Sequence, residues 1–451
     1  MRDLAARLRM IVRQDREARV RAGRGLTFVA EDVVPDEDGR SADRMAAAFG
    51  GVVHRVDDSA CARIDRAWQS HDWHGRRQLS DYRIEAESPL ALFDARAAAI
   101  PDWARRVVFF DVETTGLSGG AGTLAFLAGC GWFEDGGFRI RQFLLGAAAG
   151  ERALLDALGS VLAEASLIVT FNGRTFDVPL METRWAFHRT ASPTDGLPHF
   201  DMLPTARRLW GVVPRSRYDP VPAVSCSLTA LERAVLGFHR LGDVPGMEIP
   251  ARYFQFLRTG DTTLLERVLE HNAWDLISLA AVMAHALWLA REGPEACRHA
   301  NEQIALGRLY ERAGDGERAA RAFDLATRAA DAGHDLRRLA LARLAALHRR
   351  EARFDESAEA WHRVLALSAG GRASPDALDR RAAEALAIHL EHRARDLPSA
   401  RRYAEALRTA TSGRARAEAD HRLGRLDRKL RRLEPEPGAV PLDWGGGPGG
   451  S

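Results

Sequence analysis

The chain has 451 residues, about three times the length of the commonest single domain, so we expect two or three domains. Apolar residues make up 46% and charged residues 28%, values typical of globular proteins and unlike those of disordered or fibrous chains. The four cysteines form no C-x-x-C pair, which argues against a disulfide framework and against a structural zinc site. We expect a cytoplasmic protein without a membrane partner, because no apolar run reaches about 18 residues and charge interrupts the N-terminus too early for a secretory signal.

The net charge of +2 conceals two parts of opposite sign. Residues 296–433 carry 29 basic and 20 acidic side chains, whereas the remainder carries 35 basic and 42 acidic ones. A basic part can attract nucleic acid or another acidic partner, although a charged helical surface is more often simply solvated. Lys429 is the only lysine among 64 basic residues, which indicates a coding bias toward arginine and not selection of each arginine.

Residues 1–100 receive no function from their sequence pattern. A basic amphipathic helix is predicted to about residue 24, and residues 51–56 carry a strand signal. From residue 105 to 291 the pattern changes to that of a mixed α/β sheet, with strands and helices in alternation. The predicted elements, in chain order, are strands at 107–113, 124–133 and 138–145, a helix at 151–164, a strand at 166–171, a helix opening near Thr175, and a strand at 198–203.

Residues 298–433 are predicted to be all-helical and repetitive. The segment 304–327 matches the tetratricopeptide pattern at its small and bulky positions, a second copy follows 38 residues later, and a third, weaker copy covers about 382–410. We therefore expect a short all-α solenoid whose last helix is basic on its outer side. Residues 434–451 are rich in proline and glycine and are predicted to form a disordered tail.

Four acidic residues lie at positions where the predicted strands and helix could bring their carboxylates together. Asp111 and Glu113 lie two residues apart at the end of an apolar strand, so both carboxylates point to the same face. Asp177 follows the apolar strand at 166–171, and Asp275 lies one helical turn after His271. Hard carboxylate oxygens in such a group can hold two divalent cations that catalyse displacement at phosphorus.

The order D-x-E-T-T-G-L at 111–117, N-x-x-x-F-D at 172–177 and H-x-x-x-D at 271–275 resembles the DEDD superfamily of 3′-to-5′ exonucleases, which have a ribonuclease H-like fold. The spacing is closest to that of the proofreading domains of family B DNA polymerases. Together with the tetratricopeptide-like helices, the whole arrangement resembles a bacterial YprB-like family of ribonuclease H-like exonuclease proteins. The likeness covers about residues 105–290 and 300–410, and it adds little for residues 1–100.

The resemblance implies roles for individual residues. Asp111, Glu113, Asp177 and Asp275 would be ligands of two Mg²⁺ or Mn²⁺ ions, and all four would be catalytic. Thr114 and Leu117 would contact the terminal nucleotide, and Asn172 would shape the loop at the strand end. His271 stands where relatives with this spacing usually have tyrosine. By residue type it would deprotonate the attacking water, which is the role we favour, and by spacing it would only orient that water.

These observations predict a metal-dependent 3′-to-5′ exonuclease that acts on single-stranded nucleic acid ends. The alternative is a scaffold in which the helical repeats bind a protein partner and the nuclease domain is vestigial. Endonucleolytic cleavage would use the same chemistry. The sequence does not distinguish DNA from RNA, because that choice depends on contacts to the 2′-hydroxyl.

Overall fold

The structure is a computed structural model that describes residues 40–116, 123–211, 226–368 and 374–433. The predicted class is confirmed: a mixed α/β sheet with helices is followed by an all-helical region. The strands are β1 (Val52–Val56), β2 (Ser59–Gln69), β3 (Trp73–His74), β4 (Arg77–Gln78), β5 (Val107–Thr114), β6 (Ala125–Glu134), β7 (Gly137–Leu144), β8 (Leu167–Thr170) and β9 (His199–Asp201).

The α-helices are of two kinds, those that accompany the strands and those of the C-terminal region. The first kind comprises α1 (Ser41–Phe49), α2 (Ala95–Ala98), α3 (Glu151–Leu162), α4 (Asp177–Phe187), α5 (Met202–Leu209), α6 (Leu228–Leu231), α7 (Ile249–Thr259) and α8 (Thr263–Glu292). The second comprises α9 (Ala300–Ala313), α10 (Gly316–Arg328), α11 (His334–Arg350), α12 (Phe354–Ser368), α13 (Ala377–His392), α14 (Leu397–Ala410) and α15 (Gly413–Arg431).

The described residues fall into two compact units. The first unit contains the chain up to Asp72 together with Arg106–Leu197 and His239–Ile277. The second contains Trp73–Arg105, Pro198–Phe238 and the chain from Ser278 onward. The predicted N-terminal helix, Leu117 and the predicted disordered tail lie outside the described residues.

The main sheet has seven strands, and six of them belong to the first unit in the order β1-β2-β7-β6-β5-β8. Neighbouring strands are antiparallel except β5 and β8, which run parallel. Strands β6 and β7 form a hairpin, and in its turn Gly136 has a φ of 99°, a conformation that favours glycine. Strands β1 and β2 come from the segment without an assigned role and extend this sheet.

The packing of the first unit's core explains why the sequence of β5 is a run of apolar residues. Val108 and Phe110 are almost fully buried in one apolar cluster with residues of β6, α3 and α7, and Phe109 is buried as well. An apolar run that is covered on both faces is the pattern of a central strand. Asp111 and Glu113 therefore lie at the end of a strand whose position is fixed by extensive burial.

In the second unit, helices α9 to α14 form three sequential antiparallel pairs, and α15 packs on α14. Gly307 of α9 illustrates the close packing within a pair, because a Cβ atom there would lie 2.6 Å from the ring of Phe323 in α10. Trp361 of the next pair is buried with Leu341 and Ala345. Small residues opposite large ones therefore allow the paired helices to approach closely.

Helix α8 is the longest of the described helices. By length and composition it could cross a membrane, but 83% of its most apolar stretch is buried inside the protein. This burial is what a core helix of a globular protein requires. The helix also carries His271 and Asp275 in its first half.

Candidate active site

Strand β5 presents the first two carboxylates of the site. Asp111 and Glu113 are two residues apart, so the alternation of side chains along a strand directs both to one face. The pairing of β5 with β6 is regular up to Glu113 and then shifts between Glu113 and Thr114. Such a bulge bends the strand locally and changes the direction of the side chains beside it.

Helix α8 contributes His271 and Asp275 from consecutive turns. The Nε2 atom of His271 lies 3.3 Å from Oδ2 of Asp275 and 3.9 Å from Oε1 of Glu113. One ligand atom from each of these three residues lies within 4.8 Å of the other two, so the group has dimensions suited to a metal ion. The predicted proximity of the first strand and this helix is therefore present in the structure.

Asp177 is the first residue of α4, just after β8. A Cβ atom on Gly173 would lie 2.8 Å from Oδ2 of Asp177 and 2.5 Å from Cβ of Thr170, so the turn before the helix requires glycine. Asn172 in this turn has a φ of 70°, a conformation that asparagine tolerates better than most residues. The Asp177 carboxylate is close enough to raise the pKa of both Asp111 and Glu113.

The carboxylates destabilise one another's charged forms. Burial, followed by the charges of Asp275, Glu113 and Asp177, raises the pKa of Asp111 well above its usual value. Burial also raises the pKa of Glu113 to about 8, although the nearby His271 acts in the opposite direction. Buried like charges of this kind are relieved by protons or by bound cations. The donor set thus fits divalent metal ions, which prefer carboxylate oxygen.

Arg240 and Asp243 belong to the site but gave no signal in the sequence. The guanidinium of Arg240, only 2% exposed, donates hydrogen bonds to Oδ1 of Asp275 at 2.5 Å and to Oδ2 of Asp243 at 3.2 Å. Hydrogen bonds from His271 and Arg240 hold the pKa of Asp275 below its usual value, although burial alone would raise it. These residues precede α7 in a connecting segment, where no period or motif identifies a functional side chain.

Asp243 determines the orientation of the His271 ring. Oδ1 of Asp243 lies 2.7 Å from Nδ1 of His271, while Nε2 faces the carboxylates of Asp275 and Glu113. Burial would lower the pKa of His271, but hydrogen bonds and charges from Asp275, Glu113 and Asp243 raise it to about 9. The imidazole therefore carries a second proton near neutral pH unless the negative charge of those carboxylates is neutralised.

Asn272 is the third residue that sequence reasoning missed. Its Nδ2 donates to Oδ2 of Asp111 at 2.8 Å, and its Oδ1 accepts from Nε2 of Gln142 at 2.9 Å. Asn272 and Gln142 are fully buried, and a Cβ atom on Gly129 would lie only 2.1 Å from Oδ1 of Asn272. Available signals were a glycine and a glutamine inside apolar strands and an asparagine beside His271. The two hydrogen bonds fix the amide of Asn272, which in turn orients the carboxylate of Asp111.

Of the three residues predicted to contact or shape the substrate site, the structure describes Thr114 and Asn172. Thr114 donates from Oγ1 to the carbonyl of Gly116 at 2.9 Å, next to the bulge. Both the carbonyl and Oδ1 of Asn172 accept from Oγ1 of Thr175 at 3.1 Å, a pair of contacts that shapes the loop. Leu117 lies outside the described residues. None of these contacts reports on a nucleotide, so the substrate roles stay predictions.

Two comparisons with known proteins bear on this site. Residues 108–287 match a family described as RNase_H superfamily, and this range includes all four carboxylates and His271. The chain is also 31% identical over 300 residues to YprB, an uncharacterized protein of Bacillus subtilis (strain 168). That alignment covers 66% of this chain and 68% of the Bacillus protein.

Proposed function

The chain belongs to the same family as YprB and contains a ribonuclease H superfamily domain, and we propose that it is a divalent-metal-dependent 3′-to-5′ exonuclease. Its substrate is the 3′ end of single-stranded nucleic acid. The observation that carries this proposal is the convergence of four carboxylates, in which the charges of Asp177 and Asp275 raise the pKa of both Asp111 and Glu113. A structural role gives no reason to keep four carboxylates together in a buried setting, whereas cation binding does.

The four carboxylates would hold two Mg²⁺ or Mn²⁺ ions. When bound, such ions acidify a water molecule and stabilise the charge that develops on the leaving oxygen of a phosphodiester. Asn272 holds the Asp111 carboxylate by its hydrogen bond, and Arg240 does the same for Asp275. These contacts limit the rotation of the two carboxylates, and a fixed ligand geometry is what precise positioning of a reacting phosphate needs.

His271 would act on the attacking water. The Asp243 carboxylate holds Nδ1, so Nε2 is directed toward the carboxylate cluster, where the water must bind. We favour proton transfer from the water to Nε2, which requires that bound cations first neutralise the carboxylates that raise the imidazole pKa. In the alternative, His271 only orients the water by a hydrogen bond.

The direction of digestion rests on the motif around β5. Thr114 and Leu117 would contact the terminal nucleotide, with Leu117 between the last bases, and Asn172 would shape the neighbouring loop. The proposed domain arrangement is an N-terminal region of unknown role at 1–100, a nuclease domain at 105–291 and tetratricopeptide-like repeats at 298–433, and strands β1 and β2 of the N-terminal region extend the sheet of the nuclease domain. The paired helices α9 to α14 are consistent with such repeats and could bind a protein partner.

The experiment is digestion of single-stranded DNA and RNA oligonucleotides, labelled at either end, with Mg²⁺ or Mn²⁺. A 3′-to-5′ exonuclease converts the 5′-labelled substrate into a ladder and releases a labelled mononucleotide from the 3′-labelled one. Asp111→Asn is the matched inactive variant, because it removes a ligand charge while it keeps the size of the side chain. A 3′-phosphate on the substrate should slow digestion.

Three outcomes would contradict the proposal. Cleavage of a circular single strand would indicate an endonuclease, which uses the same metal chemistry. Digestion that Asp111→Asn leaves unchanged would come from a contaminant. If the protein cleaves neither DNA nor RNA with either ion, the scaffold with a vestigial nuclease domain becomes the better interpretation.

A further inference from the structure

Four arginines surround one small pocket in the second unit. The pocket has a volume of about 160 Å³, and Arg207, Arg208, Arg308 and Arg312 line it together with uncharged residues. None of its described lining residues is acidic. A concentration of positive charge without a neutralising carboxylate is unusual inside one surface depression.

Two helices bring these side chains together. Arg308 and Arg312 are four residues apart on α9, and Ile304 and Ala305 from the same face form part of the pocket wall. Arg207 and Arg208 lie in the last turn of α5. All four arginines are exposed, and Nη1 of Arg208 donates to the carbonyl oxygen of Phe93 at 3.2 Å, which restrains that side chain.

The guanidinium groups are close enough to repel one another. Partial burial of its guanidinium and then the charges of Arg208 and Arg308 lower the pKa of Arg312, and Arg343 adds to this effect. Glu311 opposes it, but Glu311 forms its own ion pairs with Arg350 and Arg343. In the described parts of the chain, no carboxylate lies within 4.0 Å of the charged groups of Arg207, Arg308 or Arg312.

Other arginines of the same region are neutralised. Arg425 of the basic last helix donates from Nε and Nη2 to the two oxygens of Glu391 at 2.7 and 2.6 Å. Arg338 similarly contacts Asp376 and Asp379. Arg425 and Arg338 are therefore already paired with carboxylates, whereas Arg308 and Arg312 of α9 are not paired with any carboxylate of the described residues.

We propose that the four-arginine pocket binds a backbone phosphate of the single-stranded nucleic acid. This inference rests on the proposed function, because the substrate of that function is the polyanion in question. Guanidinium groups bind phosphate oxygens through paired hydrogen bonds, and exposed arginines can do so without displacing a carboxylate. A volume of about 160 Å³ is below the 300 Å³ or more that is typical of small-molecule pockets, so it suits one phosphate group and not a whole nucleotide.

The test is the salt dependence of oligonucleotide binding by the full-length protein. Fluorescence anisotropy of a labelled single strand, measured in EDTA to prevent cleavage, gives the dissociation constant at several salt concentrations. The variant combines Arg207→Gln, Arg308→Gln and Arg312→Gln. On a single strand the slope of log K against log salt becomes shallower by about 0.7 for each phosphate that is no longer neutralised, so loss of this one phosphate site should reduce the slope by about 0.7.

The matched control removes three exposed arginines of α15 and its end: Arg416→Gln, Arg428→Gln and Arg432→Gln. It changes the net charge by the same amount, and we expect its slope to stay close to that of the wild type. Circular dichroism melting of both triple variants should give a melting temperature close to that of the wild type, because the replaced side chains are exposed.

Three results would overturn the inference. The pocket variant could keep the wild-type slope, or both triple variants could lose the same slope, which would indicate a diffuse charge effect. Alternatively, the wild type could bind inorganic phosphate through these arginines but fail to bind the oligonucleotide. That result would indicate a site for a small free anion.

The experiments distinguish failure of the phosphate site from failure of the proposed nuclease function. If the oligonucleotide binds through these arginines but is never cleaved, the phosphate site stands and the nuclease proposal fails. If the protein digests oligonucleotides and the pocket variant has an unchanged salt slope, the nuclease proposal stands and the phosphate site fails.

Discussion

The two units bury acidic side chains in opposite ways. In the first unit, Asp111 accepts a hydrogen bond from an uncharged amide and is surrounded by other carboxylates. In the second, Asp379 and Glu391 are only 6% and 4% exposed, whereas Asp111 is partly exposed, and each of the two contacts basic groups: Arg338 donates to Asp379 at 2.7 Å, and Arg425 and Lys429 donate to Glu391 at 2.6 to 2.8 Å.

The electrostatic consequences differ in sign. Burial and neighbouring carboxylates raise the pKa of Asp111, whereas hydrogen bonds from Arg425 and Lys429 lower the pKa of Glu391 to about 2. The charge of a buried acid is stabilised when basic groups of a neighbouring helix contact it, whereas a buried acid among other acids costs free energy of folding. The opposite pKa shifts separate the two kinds of acid: Glu391 pairs with basic groups of the fold, whereas Asp111 has the environment of a ligand for a cation.

Asp111→Asn should have the largest effect on activity. It removes a ligand charge, and metal ions contribute several kcal/mol of transition-state stabilisation, so cleavage should fall about 10³-fold or more. In EDTA the same variant should melt at a higher temperature than the wild type, because it removes repulsion with Glu113, Asp177 and Asp275. Single-turnover cleavage and calorimetric melting check the two parts. A lower melting temperature in EDTA would contradict the electrostatic account.

Asn272→Ala should weaken cation binding without removing a ligand. Loss of the amide that orients Asp111 should cost about 10- to 100-fold in metal affinity, as is usual for groups that hold metal ligands. The measurement is the Mn²⁺ concentration that gives half-maximal cleavage, and excess Mn²⁺ should restore much of the rate. If the maximal rate falls while the half-maximal Mn²⁺ concentration stays constant, Asn272 does not act through Asp111.

Glu391→Gln should destabilise the helical region by about 2 kcal/mol. Breaking a buried pair costs about 3 to 5 kcal/mol, and we reduce this because Arg422, Arg425 and Lys429 are 19 to 39% exposed. Urea denaturation at neutral pH measures the loss.

The same variant has a defined pH dependence. Because the folded-state pKa of Glu391 is lowered from 4.5 to about 2, its stabilisation is present above pH 4.5 and is lost as the pH falls toward 2. The difference in unfolding free energy between the wild type and Glu391→Gln should therefore shrink over this interval. A constant difference would mean that packing, and not charge, holds Glu391 in place.

Glu418→Gln should have the smallest effect and serves as the surface reference. Glu418 pairs with Arg414 four residues earlier on α15, but the side chains are 63% and 94% exposed. Solvent-exposed helical pairs contribute about 0.3 to 0.5 kcal/mol, so the melting temperature should barely change. A loss comparable to that of Glu391→Gln would remove the distinction between buried and exposed pairs.

Much of the architecture follows from local patterns. The apolar runs of β5, β6 and β7 and the one-turn spacing of His271 and Asp275 are local patterns that predict these elements. His271 and Asp275 were expected on one helical face, and they lie within 3.3 Å of each other. Period and spacing are properties of a short stretch of chain, so they are readable without the fold.

The missed residues have a different physical origin. Arg240 and Asp243 enter the site from an irregular segment, and Gln142 contacts Asn272 across 130 residues of sequence. No local period encodes such contacts. The arginine pocket was missed for the same reason: charge counting found the basic half, but only the fold distinguishes Arg312, which repels its neighbours, from Arg425, which is neutralised.

The central claim is that the four carboxylates form a cation site. Isothermal titration calorimetry of the metal-stripped protein with Mn²⁺ tests it directly, with Asp111→Asn and Glu418→Gln compared in parallel. We expect two ions per wild-type chain, wild-type binding by Glu418→Gln, and at least one ion lost in Asp111→Asn. Equal Mn²⁺ binding by the wild type and Asp111→Asn, or no binding at all, would contradict the account.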